Sequence, residues 1–382
     1  MVIYSIRYLL TLLLCFLLEL GLCGCSQFYS YEMVSSSNEL STVSSIQTRT
    51  EEWIEIPTLN GMDEMKAIAL GDLFFFHSSK HPDLLQSIDA NTGALVGNYQ
   101  LLFSQENFFF RLKSYSDSIV MLTDRQALRI GRDGQIQQEE LIPEGIQGIC
   151  DIDRSLRFLL CQDGVDVRRY DLETDQWETL VVGDLEAVPQ EIYTSPQYIC
   201  DDQKLLLFCN VGSEYFSPIQ LDIETLTLLD LQLSVDVSTT YQLQNDFLLV
   251  CDGLQTTLVE PKTEDNKVGS YFGEEAQIRV SGCYDLNRNQ FQPIPLDTVE
   301  FGVQTWGLAG HFLYFFRDTE NGQELWYYGL RERQQNSTGK KLQMPNLHIL
   351  STTSSGKLLV AYYDLQNPAC NGVGILTGRE NG

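Results

Sequence analysis

The chain has 382 residues, of which 43% are hydrophobic and 20% are charged, so it can bury a core and is not a disordered polyelectrolyte. Lys and Arg number 25 against 52 Asp and Glu, which gives a formal net charge of −27. A surface this acidic repels phosphate groups, and this argues against nucleic acid as a partner and against unaided binding to anionic lipid.

Residues 1–24 are typical of a leader rather than of a folded segment. Arg7 precedes an apolar stretch, Tyr8–Leu18, which has the length of a signal-peptide hydrophobic region and is too short to span a bilayer. Leu22-Cys23-Gly24-Cys25 follows directly and resembles the lipobox of bacterial lipoproteins. The resemblance implies that Cys25 is diacylated, and two acyl chains make a stable membrane anchor. A plain secretory signal and an uncleaved membrane anchor are the alternatives.

Residues 25–50 comprise the lipidated Cys25 and a segment rich in Ser and Thr with no sustained apolar period, which predicts a flexible tether. A tether of about 25 residues has a typical reach of roughly 25–30 Å. We therefore expect the protein in the cell envelope, lipid-anchored on the extracytoplasmic side of a membrane.

From residue 65 onward a short apolar run returns seven times, each time between a turn residue and a polar break. The runs recur at intervals of 39 to 48 residues, apart from one interval of 65. Short runs rich in Val, Phe and Leu and bounded by turn residues predict buried β-strands. The seven runs are Leu73–Phe76, Ser118–Met121, Arg157–Leu160, Leu205–Phe208, Phe247–Val250, Phe312–Phe315 and Leu358–Ala361.

A second signal follows each run. It is an apolar residue, often followed by an Asp, and then a tight turn and a polar–apolar alternation. Clear copies contain Asp89, Asp171, Asp222 and Asp285, and weaker copies occur elsewhere in the same phase. Asp, Asn and Gly suit such turns through side-chain capping or positive φ. A repeat of about 40–47 residues with several strands and no helical period predicts the blade of a β-propeller.

The strand–Asp–turn–strand pattern resembles bacterial propellers of the PQQ-like, YVTN and TolB-like type, over roughly residues 51–382. It lacks the Gly-His…Trp-Asp pair of WD40 blades. We predict an all-β domain over 51–382, a β-propeller of seven four-stranded blades. The last repeat is one strand short, so residues 52–58 are predicted to pair with residues 373–377 and close the ring.

The resemblance to propellers implies that functional loops cluster on one face, between strands two and three and between blades. In the fifth repeat, Cys251 directly follows the apolar run and Asp285 belongs to the following turn signal. These two residues are 34 positions apart, whereas the equivalent residues of the other repeats are 9 to 14 positions apart. The insert, about residues 258–279, is either a lid over a ligand or partner or a tolerated surface excursion. Its candidate binding residues are Glu260, Glu264, Asp265, Tyr271, Phe272, Glu274 and Glu275.

Paired carboxylates are the main candidates for chemistry. Propeller glycosidases use two carboxylates about 5–10 Å apart. However, 52 acidic residues produce such pairs by chance, so the catalytic residues are unknown. The pairs are Glu139–Glu140, Asp201–Asp202, Glu274–Glu275, and Asp151 with Asp153, which share one face if their segment is extended.

Histidines and cysteines give weak signals. His77 and His81 have a zinc-binding spacing only on a helix, and none is predicted there, so we expect no metal and no cofactor. The cysteines after Cys25 are odd in number and cannot all pair. Cys161 and its equivalents in the next two repeats are predicted to be small buried apolar residues. If one disulfide forms, Cys251 with Cys283 is the expected pair, because neighbouring strands carry both.

The sequence therefore favours a membrane-anchored extracytoplasmic propeller that binds a protein or glycan partner. The alternative is a carbohydrate-active hydrolase or lyase that uses central carboxylates, and a third hypothesis is a scaffold in an envelope complex. An enzyme is expected to have convergent carboxylates with perturbed pKa values at a deep pocket by the central channel. A binding module is expected to have a broad surface built from loops.

Overall fold

The structure is a computed structural model. It describes residues 53–59, 65–78, 81–104, 109–164, 166–181, 191–210, 216–231, 233, 239–244, 246–252, 282–294, 306–320, 322–344, 346–363 and 371–378. The chain divides into two compact units, residues 1–46 and residues 47–382, and all described residues belong to the second. They contain no helix of the length and hydrophobicity that a bilayer crossing requires.

The described strands form seven four-stranded antiparallel sheets, which are the blades of a β-propeller. The described part of the chain begins with β1 (Trp53–Glu55) and a single 3₁₀ turn (Pro57–Leu59). Blade 1 contains β2 (Met65–Leu70), β3 (Leu73–Ser78), β4 (His81–Asp89) and β5 (Leu95–Gln100). Blade 2 contains β6 (Phe110–Ser114), β7 (Ser118–Thr123), β8 (Gln126–Gly131) and β9 (Ile136–Leu141). Blade 3 contains β10 (Ile149–Ile152), β11 (Phe158–Asp163), β12 (Asp166–Asp171) and β13 (Gln176–Val181).

The remaining blades follow the same order. Blade 4 contains β14 (Glu191–Ile199), β15 (Lys204–Asn210), β16 (Phe216–Asp222) and β17 (Thr227–Asp230). Blade 5 contains β18 (Thr239–Gln244), β19 (Phe247–Asp252), β20 (Gly282–Asp285) and β21 (Gln290–Pro293). Blade 6 contains β22 (Gly307–Ala309), β23 (Phe312–Thr319), β24 (Gly322–Gly329) and β25 (Gln334–Leu342). Blade 7 contains β26 (Leu347–Thr352), β27 (Lys357–Tyr362) and β28 (Gly372–Thr377), with β1 as its fourth strand.

The seven apolar runs of the sequence are the second strands of the seven blades, and this confirms the predicted fold. A second strand has a paired strand on either side and a neighbouring blade against each face, so most of its residues are buried. All six residues of β3 and all six of β7 are buried. The core lies between consecutive blades: Phe75 of blade 1, for example, packs in one cluster with Ile119 and Met121 of blade 2.

The N-terminal strand closes the ring, as predicted. The sheet order of blade 7 is β26-β27-β28-β1, and Trp53 lies opposite Leu376 in the ladder. The pairing continues to Ile56, whose backbone N–H donates to the carbonyl of Val373 at 2.9 Å. Closure removes the exposed edge that β28 would otherwise present.

The two ends of the ring differ in the connections they carry. Strands one and three of each blade run in the same direction, so the short turns after them, such as Asp89–Ala94, lie on one face, which we call the turn face. Strands two and four run towards the opposite face, which we call the loop face. Asp252 and Gly282, the residues on either side of the fifth-blade insert, lie at the loop face.

The Asp of the second sequence signal holds the turn between strands three and four. The side chain of Asp89 accepts hydrogen bonds from the backbone N–H groups of Asn91 and Thr92 at 2.9 and 2.8 Å. Asp171, Asp222 and Asp285 do the same in blades 3, 4 and 5. The sequence signal therefore marks a capped turn rather than a binding residue.

Candidate functional site

The predicted lipidation residue and the predicted binding loop lie outside the described residues. This applies to Cys25 and to Glu260, Glu264, Asp265, Tyr271, Phe272, Glu274 and Glu275. They stay predictions. Among the described residues, a second candidate site lies at the central channel.

A cavity of about 670 Å³ lies where the first strands end at the turn face. Its wall comes from residues at the ends of β2, β6, β14, β18, β22 and β26, and this places it on the axis of the ring. Leu70, Leu308 and Thr352 form part of one side, whereas Lys113 and Tyr198 form part of the other. The wall from blades 2 and 4 is thus polar, and it contains both basic and acidic residues, Lys113 and Asp201 among them.

Lys113 is the centre of a buried polar group that joins three blades, which we call the Lys113 cluster: Lys113, Tyr115, Asp151, Tyr198 and Asp202. Lys113 Nζ lies 3.2 Å from Asp202 Oδ1 and 3.7 Å from Asp151 Oδ2. The ammonium group also lies over the rings of Tyr115 and Tyr198, at 4.9 and 5.5 Å from their centroids. Blade 2 supplies Lys113 and Tyr115, blade 3 supplies Asp151, and blade 4 supplies Tyr198 and Asp202.

The two carboxylates of the Lys113 cluster are fully engaged. Asp151 accepts hydrogen bonds from the backbone N–H groups of Ile152 at 2.9 Å and Tyr198 at 2.8 Å. Asp202 Oδ1 accepts from the Tyr115 hydroxyl at 2.7 Å, and Asp202 Oδ2 accepts from the backbone N–H of Arg154 at 2.7 Å. The bonds from Tyr198 to Asp151 and from Arg154 to Asp202 join blades 3 and 4, and the bond from Tyr115 joins blade 2 to blade 4, so both acids hold blades together.

Asp153 lies beside the Lys113 cluster and is also buried. Its Oδ1 accepts from the backbone N–H groups of Arg157 and Phe158 at 2.9 and 2.7 Å, and its Oδ2 accepts from the Ser155 hydroxyl. Burial raises the pKa of Asp153, although the hydrogen bond from Ser155 acts in the opposite direction. Burial and the nearby carboxylates likewise raise the pKa of the Tyr115 hydroxyl far above its usual value. Both groups therefore favour their neutral forms more than exposed ones do.

The carboxylate pairs that the sequence suggested lie in different parts of the structure. Asp151 and Asp153 are close to Asp202 of the next blade, whereas Asp201 is exposed and belongs to the cavity wall. Glu139 and Glu140 lie on the outermost strand of blade 2, far from strand one in sheet order. Glu274 and Glu275 lie outside the described residues.

Sequence reasoning missed Lys113 and Tyr115. The available signal was the alternation in β6, because Arg111 and Lys113 alternate with the apolar Phe110 and Leu112, and Tyr115 follows directly after the strand at the same spacing. The partner Asp202 lies 89 residues further along the chain, in a turn two blades away. Spacing within one repeat cannot reveal a contact of this kind.

The structure gives His77 partners other than His81. His77 is buried on β3, its Nε2 lies 3.0 Å from the carbonyl oxygen of Pro82, and its ring stacks on Phe110 at 4.2 Å between centroids. Burial lowers its pKa, so its neutral form is favoured. Within the described ranges no group of three or more His, Cys, Asp or Glu side chains is placed to hold a metal ion.

The disulfide considered from the sequence is not formed. Cys283 is a free, buried thiol, and burial raises its pKa to about 12. In the β19–β20 ladder Cys283 lies opposite Leu249, so Cys251 is two positions away from it along β19. Cys161 is buried, as predicted.

Comparison with known proteins finds similarity to solved structures alone. No protein-family model matches the chain, and no curated protein is detectably similar to it in sequence. The Neurospora crassa Pan2 WD40 domain is similar at 10% identity and a TM-score of 0.46, over 87% of this chain and 98% of that one. The computationally designed Ika8 protein is similar at 11% identity and a TM-score of 0.47, over 86% of this chain and 100% of that one. The β-propeller domain of the Trilobed protease from Pyrococcus furiosus is similar at 11% identity and a TM-score of 0.35, over 85% of this chain and 97% of that one.

Proposed function

We propose that this protein is a lipid-anchored, extracytoplasmic β-propeller that binds a protein or glycan partner. The observation that carries the proposal is how the buried acids are used. Asp151, Asp153 and Asp202 each accept hydrogen bonds from backbone N–H groups, and two of them bridge blades. Acids used in this way hold the blades together, and loops carried by such a scaffold are suited to recognition.

The predicted anchor rests on Leu22-Cys23-Gly24-Cys25 after an apolar leader. To test it, the full chain with its leader is expressed in a bacterial host, and the mature protein is analysed by mass spectrometry. We expect an N-terminal peptide that begins at diacylated Cys25 and a Cys25→Ser variant without the lipid. A mature N-terminus elsewhere, without lipid, contradicts the anchor.

The predicted binding surface is the insert of blade 5. It carries Tyr271 and Phe272 among acidic residues, and aromatic side chains contribute strongly to both protein and glycan recognition. The full chain in detergent is applied to a glycan array and used in pull-downs from envelope extracts. For any partner found, we expect the double variant Tyr271→Ala and Phe272→Ala to lose about tenfold in affinity.

A matched control for this test is Glu139→Gln with Glu140→Gln on the outer strand of blade 2. Both residues lie on the outermost strand of blade 2, whereas the insert follows a strand of blade 5. This variant is therefore expected to bind as the unmodified chain does. Equal loss in both variants contradicts the assignment of the insert as the binding surface.

The alternative function is carbohydrate hydrolysis or cleavage, and two observations favour it. A cavity of about 670 Å³ lies on the axis, and the raised pKa of Asp153 is a property of general acids. Against it, Asp153 is absent from the side chains that line the cavity, and both of its oxygens accept hydrogen bonds. Release of reducing sugar by the unmodified chain, abolished in a folded Asp153→Asn variant, would favour the enzyme.

A further inference from the structure

Three consecutive blades expose an apolar residue at the same position of the outermost strand. Leu95, Ile136 and Trp177 are each opposite an apolar residue of strand three, namely Ile88, Ile130 and Tyr170. Their exposed fractions are 48%, 49% and 50%. Val96 and Leu226 are exposed at neighbouring positions. We call these five residues the apolar rim.

The apolar rim is confined to one part of the ring. The equivalent position is the partly buried Leu228 in blade 4, the partly buried Phe291 in blade 5 and the polar Gln335 in blade 6. In blade 7 it is Trp53, which is only 7% exposed. Among the described residues, then, exposed apolar side chains at the turn-face end of the outermost strands belong to blades 1 to 4.

The apolar rim is continuous with the point where the N-terminal segment joins the propeller. Because β1 is a fourth strand, it starts at the turn face, at Trp53. Ile54 lies against the blade 1 turn, since a Cβ on Gly93 would be 3.0 Å from its Cγ2. The blade 2 turn lies against blade 1 in the same way, since a Cβ on Gly134 would be 3.9 Å from Val96 Cγ1. Blades 7, 1 and 2 thus adjoin along this edge.

The predicted tether therefore joins the ring beside its exposed apolar residues. The tether reaches roughly 25–30 Å, and the six residues of β5 alone span about 20 Å from the turn face to the loop face. If the loop face contacted the membrane, the tether would have to run along the side of a blade, and this would take up most of its length. A contact through the turn face uses almost none of it.

We propose that the apolar rim rests in the headgroup region of the membrane to which Cys25 is anchored. This inference rests on the proposed lipid anchor and adds the orientation of the propeller on it. Trp and Leu are the side chains that interfacial segments place at this depth, and Trp177 packs on Tyr170 with ring centroids 4.9 Å apart. The loop face, with the flanks of the blade 5 insert, then points away from the membrane and towards partners.

Charged turns next to the apolar rim set its depth. Asp89 and Asp171 precede Leu95 and Trp177 in their hairpins. The Arg157 guanidinium holds the pKa of Asp171 well below its usual range, so this carboxylate is ionised. An ionised carboxylate does not enter the hydrocarbon, so the rim inserts no deeper than the headgroups.

The test uses Trp177 as a fluorescent probe. Trp53 and Trp306 are buried and Trp326 is half-buried, so Trp177 is the most exposed of the four tryptophans. The lipidated full chain is reconstituted in phosphatidylcholine vesicles, with and without phosphatidylcholine brominated near the headgroup, and vesicle flotation is measured in parallel. We expect brominated lipid to quench the emission, and we expect about half or more of this quenching to be lost in Trp177→Phe, because the interface is where Trp meets lipid.

Leu141→Ser supplies the matched control, because Leu141 is 65% exposed but lies at the loop-face end of β9. Quenching in this variant is expected to equal that of the unmodified chain. A chain that floats with vesicles without being quenched overturns the orientation and leaves the anchor intact. A chain that does not float overturns both. A last outcome concerns the Cys25→Ser chain without lipid. If this chain dimerises, and if adding Ile136→Ser and Trp177→Ser abolishes the dimer, the apolar rim belongs to a contact with a second copy instead.

Discussion

Lys113 is a single cation shared by two carboxylates and two aromatic rings from three blades. Its side chain is 19% exposed, and that of Asp151 is 2% exposed. A buried charge costs several kcal/mol unless it is paired, so the three charged groups depend on one another. The same low-dielectric setting explains why burial raises the pKa values of Tyr115 and Asp153.

Replacing Lys113 is therefore expected to destabilise the ring. Lys113→Met keeps the length of the side chain but leaves Asp151 without its cation, and we expect a loss of about 3 kcal/mol in the free energy of unfolding. Urea unfolding followed by circular dichroism measures it. Arg125→Met is the control, because Arg125 pairs with the largely exposed Glu144, and a change below about 1 kcal/mol is expected there. Equal effects in both variants would contradict the role given to Lys113.

Asp153 gives a prediction about pH. Its pKa in the folded chain lies above the ordinary 3.8, so the folded state holds this proton more tightly than the unfolded state does. The group therefore contributes stability at low pH, and this contribution is lost as the pH rises through the folded-state pKa. We expect Asp153→Asn to gain stability relative to the unmodified chain over this interval and to keep a constant difference above it.

Urea unfolding at a series of pH values from about 4 to 7 measures this difference, because the interval starts at the ordinary pKa of a carboxyl group. Asp201→Asn, at an exposed position in the neighbouring turn, is the control. A pH-independent difference between Asp153→Asn and the unmodified chain would show that burial does not raise the pKa of Asp153.

At the scale of elements, the hairpin between strands three and four repeats a capped turn. In blade 4 the Asp222 carboxylate accepts from the backbone N–H of Thr225 at 2.9 Å and from its hydroxyl at 2.8 Å. These bonds lower the pKa of Asp222, so they stabilise the turn above that pKa and weaken as the pH falls through it.

Asp222→Ala is expected to lose about 1 kcal/mol in the free energy of unfolding at neutral pH, the usual contribution of such a bond. Asp222→Asn keeps one acceptor oxygen and is expected to lose less than half of that amount. Thermal unfolding of both variants at pH 7 gives the comparison. Identical melting temperatures for the alanine and asparagine variants would mean that the carboxylate does not cap the turn.

Hydrophobic runs and Asp turns allowed strands two and three to be predicted, because both are local properties of the repeat. The Phe-rich β3 and the turn after Asp89 are examples. The contacts of the central channel could not be predicted in this way. The meeting of Lys113 with Asp202 depends on the angle between blades and on the exact length of two turns, which composition does not encode.

At the scale of the whole molecule, stability depends on the N-terminal strand. Trp53 is buried in the ladder with β28, its indole N–H donates to Glu55 at 3.0 Å, and the Tyr362 hydroxyl donates to the same carboxylate at 3.0 Å. Gly374 leaves room for the indole, because a Cβ there would lie 2.3 Å from Trp53 Cζ2. Trp53 thus fills the joint between the first and last parts of the chain.

Trp53→Ala is expected to cost about 3–5 kcal/mol, the usual range for truncating a buried Trp, and to favour self-association through the loosened edge of β28. Thermal unfolding and light scattering after size exclusion measure both effects. Deletion of residues 28–45 is the control, because these residues belong to the predicted tether. If both changes lower the melting temperature equally, the N-terminal strand does not secure the ring.

Ring closure also sets an order in time during synthesis. Tyr362 and Glu55, which meet in the last blade, are 307 residues apart. At about 5–20 residues per second, the ribosome takes roughly 15–60 s to make that stretch. Strand β1 therefore waits for its partner β28 until the strands of the other six blades have been translated.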